Sequence, residues 1–161
     1  MNREDKNQKM VEYLADCEAL SNGPLFFNYA EESNESNHIV TIADDKALQK
    51  PYIDGSVLKQ YTFEIICYRP LSNNPLVNEP GFMDENIENM AEVQKVLDWI
   101  EEQEDNRNYP DFGEKCLPDR IYCMTDDPNL YAIDTEADPP LAKYSVVIRF
   151  EYLDNSKVIF S

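Results

Sequence analysis

Apolar positions along the chain follow two periods, and each period predicts a kind of element. Met10, Leu14, Cys17 and Leu20 recur at helical spacing with Val11 beside them, which predicts a first helix from Arg3 to Leu20. Asn22-Gly23-Pro24 then reads as a stop, because Gly accepts a left-handed cap and Pro cannot extend a helix. Leu25–Ala30 and His38–Ala43 read as two strands paired as a hairpin around the polar turn EESNESN. A long connection, Asp44–Ser56, follows with Pro51 and Asp54-Gly55, and connections of this length are often functional. Val57–Tyr68 is the clearest strand. Val57, Tyr61, Phe63, Ile65 and Cys67 fall on one side, with Lys59 near the open end, and Gln60, Thr62 and Glu64 fall on the other. That is the period of two of a half-buried antiparallel strand.

Arg69–Gly81 holds three prolines and no periodicity, and reads as a surface connection. A second helix is predicted from Asp84 to Glu104, with Ile87, Met90, Val93, Leu97 and Ile100 as its core stripe. Glu85, Glu88, Glu92 and Lys95 form its wet side. In its last turn Glu101, Glu102, Glu104 and Asp105 sit where the helix dipole favours cations, at a few tenths of a kcal/mol each. Local conflicts of this kind mark function or fraying. Asn106–Pro118 reads as a loop. Asp119–Thr125 and Leu130–Asp134 read as a second hairpin around Asp126-Asp127-Pro128-Asn129. Leu141–Leu153 is a long alternating strand, with Tyr144, Val146, Ile148, Phe150 and Tyr152 inward and Ser145, Arg149 and Glu151 outward. The order is helix, three strands, helix, three strands. It predicts one α+β domain over residues 1–161, with two main helices packed on one face of a mostly antiparallel sheet.

Charge changes the picture more than size does. The 161 residues hold 14 Lys and Arg against 32 Asp and Glu, a formal net charge of −18. Such a surface argues against gripping a nucleic-acid backbone or an anionic membrane. It suits a basic protein partner, DNA mimicry, or plain solubility, the simplest account of charge alone. No apolar run approaches the roughly 20 residues a bilayer span needs. The polar start MNREDKNQKM lacks the features of a signal peptide, which predicts a cytoplasmic protein. Cys17, Cys67, Cys116 and Cys123 form no C-x-x-C pair and read as reduced, mostly buried small hydrophobes.

Candidate chemistry is sparse. His38 is the single histidine and sits in a strand-like run, so nothing beside it completes a nucleophilic triad or a zinc site. The four glycines, Gly23, Gly55, Gly81 and Gly113, are isolated and build no phosphate loop. Asp44-Asp45, Asp126-Asp127 and the trio Asp134, Glu136 and Asp138 lack EF-hand spacing. Carboxylates distant in sequence could still pair for acid–base work. Tyr52, Tyr109, Tyr122 and Tyr131 lie in or beside loops, where tyrosine suits an interface, though each alone reads as edging the core. The residues therefore predict no cofactor, no metal and no catalysis, and favour protein–protein binding.

Three segments carry a family resemblance. In KPYIDGSVLKQYTFEIICYRPL, Tyr52, Asp54 and Gly55 form a Tyr-x-Asp-Gly turn that leads into Leu58, Gln60, Tyr61 and Phe63. In VQKVLDWIEEQ, Trp99 and Ile100 precede Glu101, Glu102 and Gln103. In YAIDTEADPPLAKYSVVIRFEYLD, an acidic, alanine-containing turn precedes an alternating strand rich in aromatics. In this order the segments resemble the tail terminators, or tail-completion proteins, of long-tailed phages and prophages of Gram-positive bacteria. The likeness runs roughly from Val40 to Asp154, and departs from the family in the Pro-rich Arg69–Gly81 connection and in its acidity. It implies a minor structural virion protein made in the bacterial cytoplasm. Such a subunit forms a hexameric ring, caps the finished tail tube, meets the head–tail connector, and lets DNA pass without specific binding. Asp44, Asp45, Tyr52, Asp54, Gly55, Glu101 and Glu102 are the candidate tube or lumen contacts. Two rival readings are an acidic inhibitor, such as an immunity or DNA-mimic protein on a basic partner, and an enzyme or small-molecule binder, for which no motif speaks.

Overall fold

A computed structural model of the chain describes residues 3–21, 25–27, 36–42, 49–70, 85–125, 129–134 and 141–158, with side chains at 85–86 and 129–134 left aside. Its elements are α1 (Arg3–Leu14), a 3-10 turn (Glu18–Leu20), β1 (Leu25–Phe27), β2 (Ser36–Ile42), β3 (Lys50–Pro51) and β4 (Val57–Pro70). They continue with α2 (Glu85–Asp105), β5 (Cys116–Cys123), β6 (Asn129–Asp134) and β7 (Leu141–Asp154). The fold is α+β, with both helices on one face of a mostly antiparallel sheet.

β4 and β7 form the spine. They pair antiparallel along their whole length, from Val57 opposite Asp154 to Pro70 opposite Leu141. Two shorter strands lie end to end along each outer edge: β2 and β3 along β4, β5 and β6 along β7. Alternation then sets the faces. Tyr61, Phe63, Ile65 and Cys67 of β4 and Tyr144, Val146, Ile148, Phe150 and Tyr152 of β7 are buried against the helices. Met10 and Leu14 of α1 and Val93, Val96, Leu97 and Ile100 of α2 close over them. Each Val, Leu, Ile, Phe or Met among them contributes about 1.5–3 kcal/mol by leaving water.

Several elements differ from the expectation. The first helix stops at Leu14. Cys17 is extended (φ −81°, ψ 110°), and the following 3-10 turn puts Ala19 and Leu20 into the core instead. The first two strands are not a hairpin: β1 pairs parallel to β2, a register that stacks Phe26 on His38 at 5.1 Å. Nor do β5 and β6 pair with each other, because β7 is long enough to take both, β5 against residues 148–154 and β6 against 141–145. A fourth early strand, β3, lies inside the long connection. In α2 the stripe slips: Ile87 is 66% exposed and Met90 39%, while Asn89 turns inward and donates to the Pro70 carbonyl at 2.9 Å. The polar side of β4 is not wet. Gln60 and Thr62 are buried between flanking strands, and Arg149 Nε donates to Thr62 Oγ1 at 3.2 Å.

The loop before β5 also reaches the core. Phe112 lies edge-on to Tyr61, Phe150 and Tyr152, with centroids 5.5, 5.2 and 5.2 Å away. Arg69 is buried at the end of β4. It donates to the carbonyls of Ser36 and Tyr68 and to Asn37 Oδ1, with Glu92 3.6 Å away. No described helix is long and apolar enough to cross a membrane.

Candidate functional site

The Tyr-x-Asp-Gly segment is a built turn. Lys50 pairs with Leu58 and Pro51 with Val57, which makes β3 and β4 a hairpin. Tyr52 N–H donates to the Ser56 carbonyl at 2.8 Å, and Gly55 N–H to the Tyr52 carbonyl at 3.1 Å. Gly55 has φ 95°, where a Cβ would be penalised. Asp54 accepts from Ser56 Oγ at 2.6 Å and from Ser56 N–H at 2.9 Å, and these bonds hold its carboxyl below the usual range. At the tip this frame presents Ile53, 98% exposed, beside Tyr52, 43% exposed. Lys50 Nζ sits 5.5 Å from the centroid of the Tyr52 ring. Leu58, Leu153 and Leu117 stand side by side in the register, on the face away from the helices, and line a shallow cavity of about 390 Å³ with Tyr52 and Pro118.

The acidic end of α2 forms the second region. The helix closes with Arg107 at φ 52°, Asn108 N–H reaching the Gln103 carbonyl and Arg107 N–H the Glu104 carbonyl. Two of the carbonyls at the negative end of the dipole are thus satisfied without glycine. Glu104 offsets its unfavourable place by accepting from Ile121 N–H of edge strand β5 at 2.9 Å. Glu101 and Glu104 rim a cavity of about 260 Å³ between α2 and β5, floored by Leu97, Ile100, Ile121 and Cys123. Burial, then Glu101 and Asp98, push the Cys123 thiol up to about 12, which favours the protonated thiol at neutral pH.

The candidate residues thus divide between two places. Tyr52, Asp54 and Gly55 share one turn, whereas Glu101 borders the α2–β5 cavity. Glu102, the next residue, faces a different surface with Asp16 and Trp99. Asp44 and Asp45 lie outside the described residues. Sequence reasoning missed Ile53 and Leu117, although an isoleucine at a turn tip, where polar residues are usual, is a legible signal. It also missed the Lys59–Asp154 bond of 2.7 Å, which joins residues 95 apart in sequence.

His38 is buried between Phe26 and Tyr68, with Ser36 Oγ 3.0 Å from its Nε2. Among the described residues, no three of His, Cys, Asp and Glu gather as metal ligands would. What the two regions offer chemically is contact: an apolar tip and an acid-rimmed apolar hollow. No protein-family model matches the chain, and no curated protein matches it.

Proposed function

We propose that the chain is a structural subunit of a long-tailed phage or prophage. Six copies form a ring that caps the completed tail tube, stops its growth, and joins it to the head connector. The observation that carries this reading is the order of the three resembling segments together with the place of the first. The Tyr52–Gly55 turn feeds directly into β4, one of the two spine strands, as the likeness to tail terminators leads one to expect. Acidity supports it further. A ring lined by carboxylates repels the DNA backbone and keeps it moving. Assembly takes place in the bacterial cytoplasm, and the subunit ends in the virion tail.

The exposed carboxylates of α2, Glu88, Asp98, Glu101, Glu102 and Asp105, favour the acidic inhibitor as the second reading. Light scattering coupled to size exclusion, with negative-stain images, separates the two. Hexameric rings that dock on tail tubes are expected, and charge reversal at Asp44, Glu101 and Glu102 should impair assembly or capping. A strict monomer that binds a basic nuclease tightly would overturn the proposal.

A further inference from the structure

We infer that two copies of this chain join head to tail, the Tyr52–Ile53 tip of one seated in the α2–β5 cavity of the next. The tip is an aliphatic side chain 98% exposed on a turn fixed by four hydrogen bonds, so it is presented rigidly at little entropic cost. The cavity, about 260 Å³, is below the roughly 300–1,000 Å³ of small-molecule sites and is floored by aliphatic side chains. It has the size and chemistry to accept a side chain.

Charge selects the pairing. Lys50 stands beside Tyr52, and the adjoining hollow at the same end of the sheet holds Lys157 and the Lys59–Asp154 pair. Asp54 keeps its negative charge but turns it back onto Ser56. Glu101 and Glu104 rim the α2–β5 cavity, and among the described residues no Lys or Arg lines it. Tip against tip would set Lys50 on Lys50, and cavity against cavity Glu101 on Glu101. Tip into cavity brings Lys50 onto Glu101 and Glu104 over buried apolar groups. The cavity at the tip's base and the α2–β5 cavity share no lining residue. The first lies on the face away from the helices and the second beneath α2, so one chain can donate and accept at once. Such a contact repeats into a ring if its rotation closes and into a filament if it does not. This inference rests on the self-assembly part of the proposed function and names its two surfaces.

Sedimentation of wild type, Ile53→Asp and Glu101→Lys tests it, since both residues are exposed and unchanged thermal melts would show that the variants fold. Wild type is expected to exceed dimer mass as concentration rises, with each variant at least roughly tenfold weaker in self-association. Mixing the two variants should give a heterodimer and nothing larger, because one intact tip and one intact cavity remain. Lys50→Glu combined with Glu101→Lys in one chain should restore assembly. A wild type that stays monomeric up to about 1 mM, a closed two-fold dimer, or variants that assemble normally would overturn the inference. A monomer that still caps tail tubes would overturn it and leave the proposed function standing. Head-to-tail rings that ignore tail tubes would support it and sink that function.

Discussion

Lys59 and Asp154 meet where the two spine strands end, and their bond is the clearest titrating contact among the described residues. Burial opposes the charge on Asp154, yet hydrogen bonds from Lys59 and Ser156, with the Lys59 charge, hold its carboxyl well below the usual range. A carboxylate depressed in the folded state stabilises it fully above the unfolded value of about 3.9, and that contribution is lost as pH falls through the folded value. Asp154→Asn should therefore lower stability at neutral pH by about 1–3 kcal/mol. It should also flatten the acid limb of a urea-midpoint profile below pH about 4. A full acid limb retained in the variant would show that other carboxylates set it. Gly55 is a second single-residue test. At φ 95°, Gly55→Ala should cost about 1–2 kcal/mol by the same urea assay. The sequence marked Gly55 through its turn signature, but Lys59–Asp154 was illegible, because pairing across β4 and β7 depends on a register that the pattern of one strand does not specify.

Elements were most legible where one period ran long. β4 and β7 emerged with ends within two residues because each alternates over many positions against an apolar layer. α2 was recovered in extent but not in facing. Ile87 and Met90 continue the apolar repeat, yet Asn89 is the buried residue at that end because the Pro70 carbonyl needs a donor. The two expected hairpins failed differently. β1 lies beside β2 but runs parallel to it, whereas β5 and β6 both pair with the longer β7, and neither turn chemistry nor periodicity reveals strand direction or that neighbour. The loop before β5 hid Phe112 for want of any period, and Phe112→Ala should cost about 3–5 kcal/mol as a core cavity. The acidic end of α2 makes a sharper test, because two of its acids should behave oppositely. Glu104→Ala removes the acceptor of Ile121 N–H and should destabilise by about 1–3 kcal/mol. Glu102→Lys puts a cation at the exposed negative end of the dipole and should stabilise by about 0.3–1 kcal/mol. Equal shifts in the urea midpoint, at constant slope, would refute that division of labour.

At the scale of the whole molecule, the sequence yielded the acidity, the α+β class and the Tyr52–Gly55 turn. It could not yield the α2–β5 cavity, because Glu101 becomes part of a hollow only when α2 packs against β5, the next element in the chain, and the pattern within either element does not show that contact. The cavity turns the question of net charge into one of range. Two chains of charge −18 repel over the full Debye length, about 30 Å at 0.01 M salt and about 8 Å at 0.15 M. A Lys50–Glu101 contact formed over buried apolar groups acts at a few Å and is screened far less. Salt should therefore remove more repulsion than attraction, so self-association should strengthen from about 0.01 to about 0.15 M salt. Self-repulsion within each chain falls as well, so the melting temperature of the Ile53→Asp variant should rise by a few degrees over the same range, about 2–4 °C for each kcal/mol gained. Sedimentation and melting measured together separate the two effects. Association that weakened while the melting temperature rose would mean that exposed ion pairs, not the apolar tip, hold the copies together.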